Sequence, residues 1–291
     1  MKAFIGSGVA LITPFNENNT IDFESLGNLI EFQISGGIDY LVSLGTTGET
    51  ATLSKNEKQK IFEYTAQKTA GRIPLIAGIG GNNTHEIVEL LQNLDLSAFS
   101  AILSVSPYYN KPTQEGIYQH YKALAEASPL PIILYNVPGR TGSNIEAETT
   151  IRLAHDFNKI IGIKEASGNF HQYAVIMRDK PEDFLLISGD DALQLPMAAL
   201  GASGVISVLA NALPSQVSLL TKLCLQGAFK EAGELHGKLL RITDLCFTEG
   251  NPAGVKSILQ QYNICKEVIR LPLTPISEQT RNKIIEELKN F

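Results

Sequence analysis

Eight short runs of β-branched and apolar residues recur along this chain of 291 residues, each ending in Gly, Ser, Thr or Pro. Each is followed by an amphipathic segment of about 10 to 18 residues, the mark of strands alternating with helices. The candidate strands are Ser7 to Ile12, Tyr40 to Leu44, Pro74 to Gly78, Ala101 to Val105, Ile132 to Tyr135, Ile160 to Lys164, Phe184 to Ser188 and Gly204 to Val208. Such repetition either closes into a barrel or lies open as a doubly wound sheet. The open sheet's fingerprint, GxGxxG directly after the first strand, is missing, so the expected fold class is α/β, a (β/α)8 TIM barrel. Helix starts fall where the barrel needs them: Ser54 before KNEKQKIFEYTAQ, Thr84 before HEIVELLQNL, Glu115 leading IYQHYKALAEA and Asp191 before ALQLPMAAL. After roughly Gly227 the strand signal stops. Three helical stretches follow, with Asn251-Pro252 as a cap carrying proline at N1 and Ser277 before EQTRNKIIEELKN. The expected organisation is a catalytic barrel over residues 1–226 and a C-terminal helical domain over 227–291.

The charge balance narrows the function classes. A net charge of -6 and a pI of about 5.5, with no Lys/Arg-rich stripe, offer no field for a nucleic-acid backbone. The opening MKAFIGSGVALITPF is broken by Gly6, Ser7 and Gly8 and stopped by Thr13-Pro14, so it reads as a first strand rather than a secretory segment. No apolar stretch reaches the roughly 18 to 20 residues that span a bilayer, and a soluble, cytoplasmic protein is expected. Cys224, Cys246 and Cys265 are widely spaced in helical patterns, without a CxxC, and read as buried reduced thiols.

In a barrel the reactive groups gather at the carboxyl ends of the strands. Those ends carry Gly45-Thr46-Thr47-Gly48-Glu49, Pro107-Tyr108-Tyr109-Asn110, Tyr135-Asn136-Val137-Pro138-Gly139-Arg140 and Lys164-Glu165-Ala166-Ser167. All five histidines, His85, His120, His155, His171 and His236, lie in helical segments instead. Proton transfer then falls to tyrosine, lysine or carboxylate, and neither a catalytic metal nor a cofactor is expected. Asp190-Asp191 after the seventh strand could hold Mg²⁺ but reads better as a helix cap.

Lys164 ends the run Ile160-Ile161-Gly162-Ile163, and period-two alternation puts it on the face of Gly162, which leaves space beside it. Position alone fits equally a lysine that reaches out to solvent. To attack a carbonyl the amine must be neutral, a state that desolvation in a barrel mouth favours. Glu165 alternates to the other face, where a structural ion pair is expected. Tyr135 ends the neighbouring strand and would bring a phenol to the lysine, or be an ordinary rim aromatic. The hydroxyls and N–H groups of the Thr46-Thr47 turn could hold a small carboxylate, though a plain turn has the same look. Arg140, after Pro138-Gly139, suits bidentate carboxylate binding or is a surface arginine.

Several motifs in order then carry a family resemblance: GTTGETATLS at 45 to 54, PYYNKPTQEGIYQHY at 107 to 121, LYNVPGRTG at 134 to 142, GIKEASG at 162 to 168, SGDD at 188 to 191, GVISVLAN at 204 to 211 and NPAGVK at 251 to 256. Nearly end to end, the chain resembles the dihydrodipicolinate synthase family of the N-acetylneuraminate lyase superfamily. The resemblance implies a lyase that condenses pyruvate with L-aspartate 4-semialdehyde to 4-hydroxy-tetrahydrodipicolinate, the committed step toward lysine and diaminopimelate. It implies that Lys164 carries the pyruvate Schiff base and that Tyr135, Thr46 and Tyr109 relay protons, Tyr109 coming from a neighbouring subunit. It assigns the pyruvate carboxylate to Thr47, the carboxylate of the aldehyde to Arg140, the pyruvate pocket wall to Ile206, and the assembly to a homotetramer built as a dimer of dimers.

Sister enzymes acting on N-acetylneuraminate or a 2-keto-3-deoxy sugar acid would share the imine chemistry, but sialate-type members generally lack an arginine at the position of Arg140. A ligand sensor without catalysis would not need the whole set of Lys164, Tyr135, Thr46, Thr47 and Tyr109. A phosphate-binding barrel fits poorly, because Asp190 and Asp191 would repel phosphate after the seventh strand. The resemblance also implies an allosteric lysine site, matched here by Ala51, Asn82, Glu86 and Tyr108. Lys55 and Lys58, however, stand where lysine-sensitive members tend to have histidines, and two ammonium groups repel a cationic effector. Feedback by L-lysine is therefore expected to be weak or absent, and strong inhibition of the purified protein by millimolar L-lysine would overturn that expectation.

Overall fold

The structure is a computed structural model that describes residues 2–291. Eight parallel strands close into a barrel in sequence order, with the last pairing to the first: β1 (Gly6–Ala10), β2 (Tyr40–Ser43), β3 (Leu75–Gly78), β4 (Ala101–Val105), β5 (Ile132–Asn136), β6 (Ile160–Glu165), β7 (Leu185–Ser188) and β8 (Gly204–Ser207). The helices around it are α1 (Phe23–Ser35), α2 (Lys55–Thr69), α3 (Thr84–Asn93), α4 (Gln114–Ala127), α5 (Pro138–Thr141), α6 (Ala147–Asp156), α7 (Phe170–Asp179), α8 (Gln194–Ala199) and α9 (Pro214–Leu225). Beyond them come α10 (Phe229–Phe247), α11 (Ala253–Gln261) and α12 (Glu278–Leu288). The eight expected strands are all present, within a residue or two at their ends.

Strand alternation sorts the apolar residues into two cores. Tyr40 and Val42, Ala101 and Leu103, Ile133 and Tyr135, Leu185 and Ile187, with Ile76 and Ile206, fill the barrel interior. The intervening residues, among them Leu41, Ile102, Leu134, Ile163 and Leu186, face outward and pack with the helices. Tyr40 is fully buried in the interior, its hydroxyl donating to the Val205 carbonyl and its ring edge-on to Phe4.

The helix starts show where local reading falls short. Ser54 caps α2 in a full capping box with Glu57, and Ser277 caps α12, both as expected. Thr84 is instead the first residue of α3, and its hydroxyl meets His120 Nδ1 on α4 at 2.8 Å. At α4 the cap is Thr113 rather than a residue beside Glu115. Asp191 opens a single turn of 3-10 helix capped by Asp190, ahead of α8. Pro252, expected at N1, occupies the cap of α11, and Asn251 does not cap the helix: among the described residues its Oδ1 receives no N–H, while its Nδ2 donates to Thr47.

The helices past the barrel are bolted to it by a buried charge pair. Lys256 on α11 is fully buried and its ammonium lies 2.5 Å from the equally buried Glu49 carboxylate. Lys256 Nζ also donates to the Val268 carbonyl, and Glu49 accepts from the Arg270 backbone N–H. Burial lowers the pKa of Lys256, and the Glu49 charge opposes that shift. Arg270 adds a bidentate grip on Glu57 that holds its carboxyl down at about 2, and both cations lie over the Phe15 ring. Removing one member of such a buried pair strands the other in a low-dielectric interior. Lys256→Met is therefore expected to cost about 3–5 kcal/mol of stability. The check is the urea midpoint of unfolding at unchanged slope.

Candidate active site

A register irregularity decides which way Lys164 points. Ile132 pairs with Ile160, but the next residue of β5, Ile133, pairs with Gly162, so β6 carries one residue more than its neighbour. Ile161 faces the interior, and uninterrupted alternation from it would send Lys164 outward among the helices. The extra residue resets the phase. Tyr135 then pairs with Lys164 at the barrel mouth, and Lys164 Nζ lies 4.3 Å from the centre of the Tyr135 ring. Both are buried, at 4% and 6% exposure, although each is a group that water would solvate well.

The room for the lysine does not come from Gly162. A Cβ there would strike Leu185, whose carbonyl oxygen and Cβ would lie 2.8 and 2.9 Å away, so that glycine serves the packing of β6 on β7. Gly189, just past β7, is the residue that makes the space: a Cβ on it would fall 2.9 Å from Lys164 Cε and 2.9 Å from Ala166 Cβ. No sequence pattern around SGDD singles this glycine out. Ile206, wholly buried on β8, completes the interior wall.

Glu165 alternates outward as expected, but among the described residues no cation meets it. Its carboxylate accepts from Asn136 Nδ2 at 2.9 Å, Gln172 Nε2 at 2.6 Å and the Ser167 N–H at 3.4 Å, so an amide network stands where an ion pair was expected. Asn144 joins it, accepting from Asn136 and donating to Gln172. Burial pushes the pKa of Glu165 up, against the pull of these donors. Asp190 is occupied as a cap and Asp191 by the turn after β8. Asp190 accepts from the Ala192 N–H, while Asp191 takes the N–H groups of Val208 and Leu209 and the Ser207 hydroxyl. Among the described residues no three His, Cys, Asp or Glu side chains converge as metal ligands would.

The threonine turn after β2 is one turn of 3-10 helix, Thr46–Gly48, closed by Glu49 in the left-handed region at φ 55°. Thr47 is 2% exposed and Thr46 is half-buried. Thr13 donates to the Gly48 carbonyl, and Asn251 Nδ2 donates to Thr47 Oγ1 at 3.0 Å. Arg140 sits in the one-turn α5, exposed, and among the described residues its guanidinium has no carboxylate partner. Tyr108 and Tyr109 stand outside the barrel interior, Tyr109 at 89% exposure on a backbone with φ 71°. One chain therefore brings Lys164, Tyr135 and Ile206 together in the barrel interior and leaves Tyr109 on the surface. Of the remaining positions matched to an allosteric site, Ala51, Lys55, Asn82 and Glu86 are exposed and Lys58 is half-buried, its pKa lowered by burial and by Lys55.

The arrangement can do one thing well. A buried primary amine against a phenol ring, at the end of an apolar barrel interior, is suited to condense with a small keto acid. The known proteins similar to this chain agree with that chemistry. The 4-hydroxy-tetrahydrodipicolinate synthase of Flavobacterium psychrophilum is 52% identical over 284 residues, covering 98% of this chain and 97% of the relative. The crystal structure of dihydrodipicolinate synthase from Aquifex aeolicus superposes with a TM-score of 0.95 at 44% identity, over 98% of this chain and 97% of that one. The chloride-inhibited dihydrodipicolinate synthase of Acinetobacter baumannii, solved in complex with pyruvate, has a TM-score of 0.94 at 41% identity, over 98% of each chain. Residues 3–291 match the Dihydrodipicolinate synthetase family. With that match spanning the barrel and the helices beyond it, the chain belongs to the dihydrodipicolinate synthetase family.

Proposed function

We propose that the chain is a 4-hydroxy-tetrahydrodipicolinate synthase, joining pyruvate to L-aspartate 4-semialdehyde on Lys164 for lysine and diaminopimelate synthesis. The observation that carries this reading is the buried Lys164 amine set against the Tyr135 ring, within a chain about half identical to synthases of that name. The amine attacks the keto carbon of pyruvate, and the carbinolamine loses water to give the imine. Tyr135 is the nearest phenol for moving the protons of that step. Loss of a methyl proton gives the enamine, whose carbon adds to the aldehyde. The amine of the bound semialdehyde then displaces lysine from the imine carbon, closing the ring and freeing the enzyme, so that a single water leaves overall.

Thr47 holds the pyruvate carboxylate in this reading and Arg140 takes that of the semialdehyde; the exposure of Arg140, with no carboxylate partner among the described residues, supports its part. Thr46 and Tyr109 extend the proton path from Tyr135. Tyr109 is 89% exposed in the single chain, which supports its delivery into the site of a second subunit, in an assembly of two such dimers. The barrel over residues 1–226 holds the reacting groups and the helices over 227–291 brace it. Among the described residues no helix is long and apolar enough to cross a membrane, and the three cysteines are free and buried, in keeping with a cytoplasmic enzyme.

Borohydride reduction in the presence of pyruvate should leave a mass adduct on Lys164, located by peptide mass spectrometry, and Lys164→Arg should abolish both adduct and turnover. An adduct elsewhere, with Lys164→Arg fully active, would sink the mechanism. Gly189→Ala drives a methyl group to 2.9 Å from Lys164 Cε and from Ala166 Cβ, and to 3.1 Å from the Glu165 carbonyl oxygen. Its expected effect is a loss of about 100-fold in the rate of adduct formation by protein that still melts cooperatively, the scale of an ångström's misplacement of a reacting atom.

A further inference from the structure

The Thr46–Gly48 turn is held from outside by three fasteners, and two of them come from beyond the barrel. Thr13 takes the Gly48 carbonyl. Lys256 and the Arg270 backbone take Glu49, the residue that ends the turn. The third is Asn251, between α10 and α11, whose amide donates to Thr47 Oγ1 across 204 residues of sequence. Thr47 and Asn251 are both buried, at 2% and 6% exposure, so this bond is shielded from competing water.

The direction of that bond matters for chemistry. A threonine hydroxyl has one proton to give and lone pairs to receive. While Thr47 Oγ1 receives the Asn251 amide, its single proton is left to be donated, and a hydroxyl that accepts one hydrogen bond donates a second more strongly. A carboxylate offers acceptors only, so the amide makes Thr47 selective for an anion. The reverse orientation would draw the threonine proton toward Asn251 Oδ1 and leave the side-chain NH₂ buried without an acceptor. The orientation present leaves only Oδ1 without a partner, the lesser cost.

We infer that Asn251 is a positioning residue for the keto acid: it acts through Thr47, and by it the C-terminal helices form part of the carboxylate subsite. This rests on the proposed reaction. The test measures the half-saturating pyruvate concentration for the Lys164 borohydride adduct, which needs no aldehyde, together with steady-state KM for both substrates. Asn251→Ala should raise the pyruvate value about 10- to 100-fold, the range for a hydrogen bond to a charged group, and leave the semialdehyde KM within about twofold. Asn251→Asp keeps the shape but takes the Thr47 proton and adds a negative charge, so it should bind pyruvate more weakly still. In a Thr47→Ala background the further change Asn251→Ala should have no effect, whereas in Thr47→Ser the coupling should return. Independent, multiplying effects of Asn251→Ala and Thr47→Ala would overturn the inference, as would pyruvate binding by Asn251→Asp equal to the parent's. Absence of any adduct in the unmodified protein would instead defeat the proposed reaction itself, a separate outcome.

Discussion

Everything distinctive about this protein depends on keeping a primary amine out of water at the end of a β-strand. A lysine at such a position ordinarily runs its methylenes along the rim and leaves its head solvated. Here β6 gains a residue relative to β5, Lys164 turns inward, and the barrel wall closes around it with Tyr135 on one side and the bare backbone of Gly189 on the other. The strand supplies rigidity that a loop would not, so the amine meets its substrate at a fixed place. The carboxylate next along the chain, Glu165, is kept on the opposite face and saturated with amide donors.

Local patterns made much of this legible. Alternating apolar runs specify the eight strands because each strand must satisfy two cores at once, and the strand ends draw attention to Lys164, Tyr135 and Thr47 because barrels display reactive groups there, while Ile206 enters only through the family resemblance. Alternation even gives the right facing for Lys164 when counted from Gly162, and the wrong one when counted from Ile161. Nothing in the run Ile160-Ile161-Gly162-Ile163 says which to use; the register against β5 decides. Gly162 was given the role that belongs to Gly189 for the same reason, since the contacts of a glycine are made by another strand.

The partners of Glu165 and of Asn251 were beyond reach for a related cause. Glutamate in a barrel shell suggests a cation, yet the space between β6 and α7 is furnished with Asn136, Asn144 and Gln172. Asn251 beside proline has the local grammar of a helix cap, but its Oδ1 receives no helix N–H and its amide nitrogen donates to Thr47 across the molecule. Patterns of period two and 3.6 describe neighbours within an element, and these contacts are set by how elements far apart in sequence come to share a surface.

The dependence of Glu49 on Lys256 also orders events in time. As the chain is synthesised, the strands of the barrel are complete by Ser207, while the ammonium that must accompany Glu49 into the interior is made only at residue 256 and the bracing Arg270 later still. Until then Glu49 has no Lys256 to be buried with. The strands of the frame thus precede, in the order of synthesis, the side chain that lets the turn carrying Thr46 and Thr47 close over its own carboxylate.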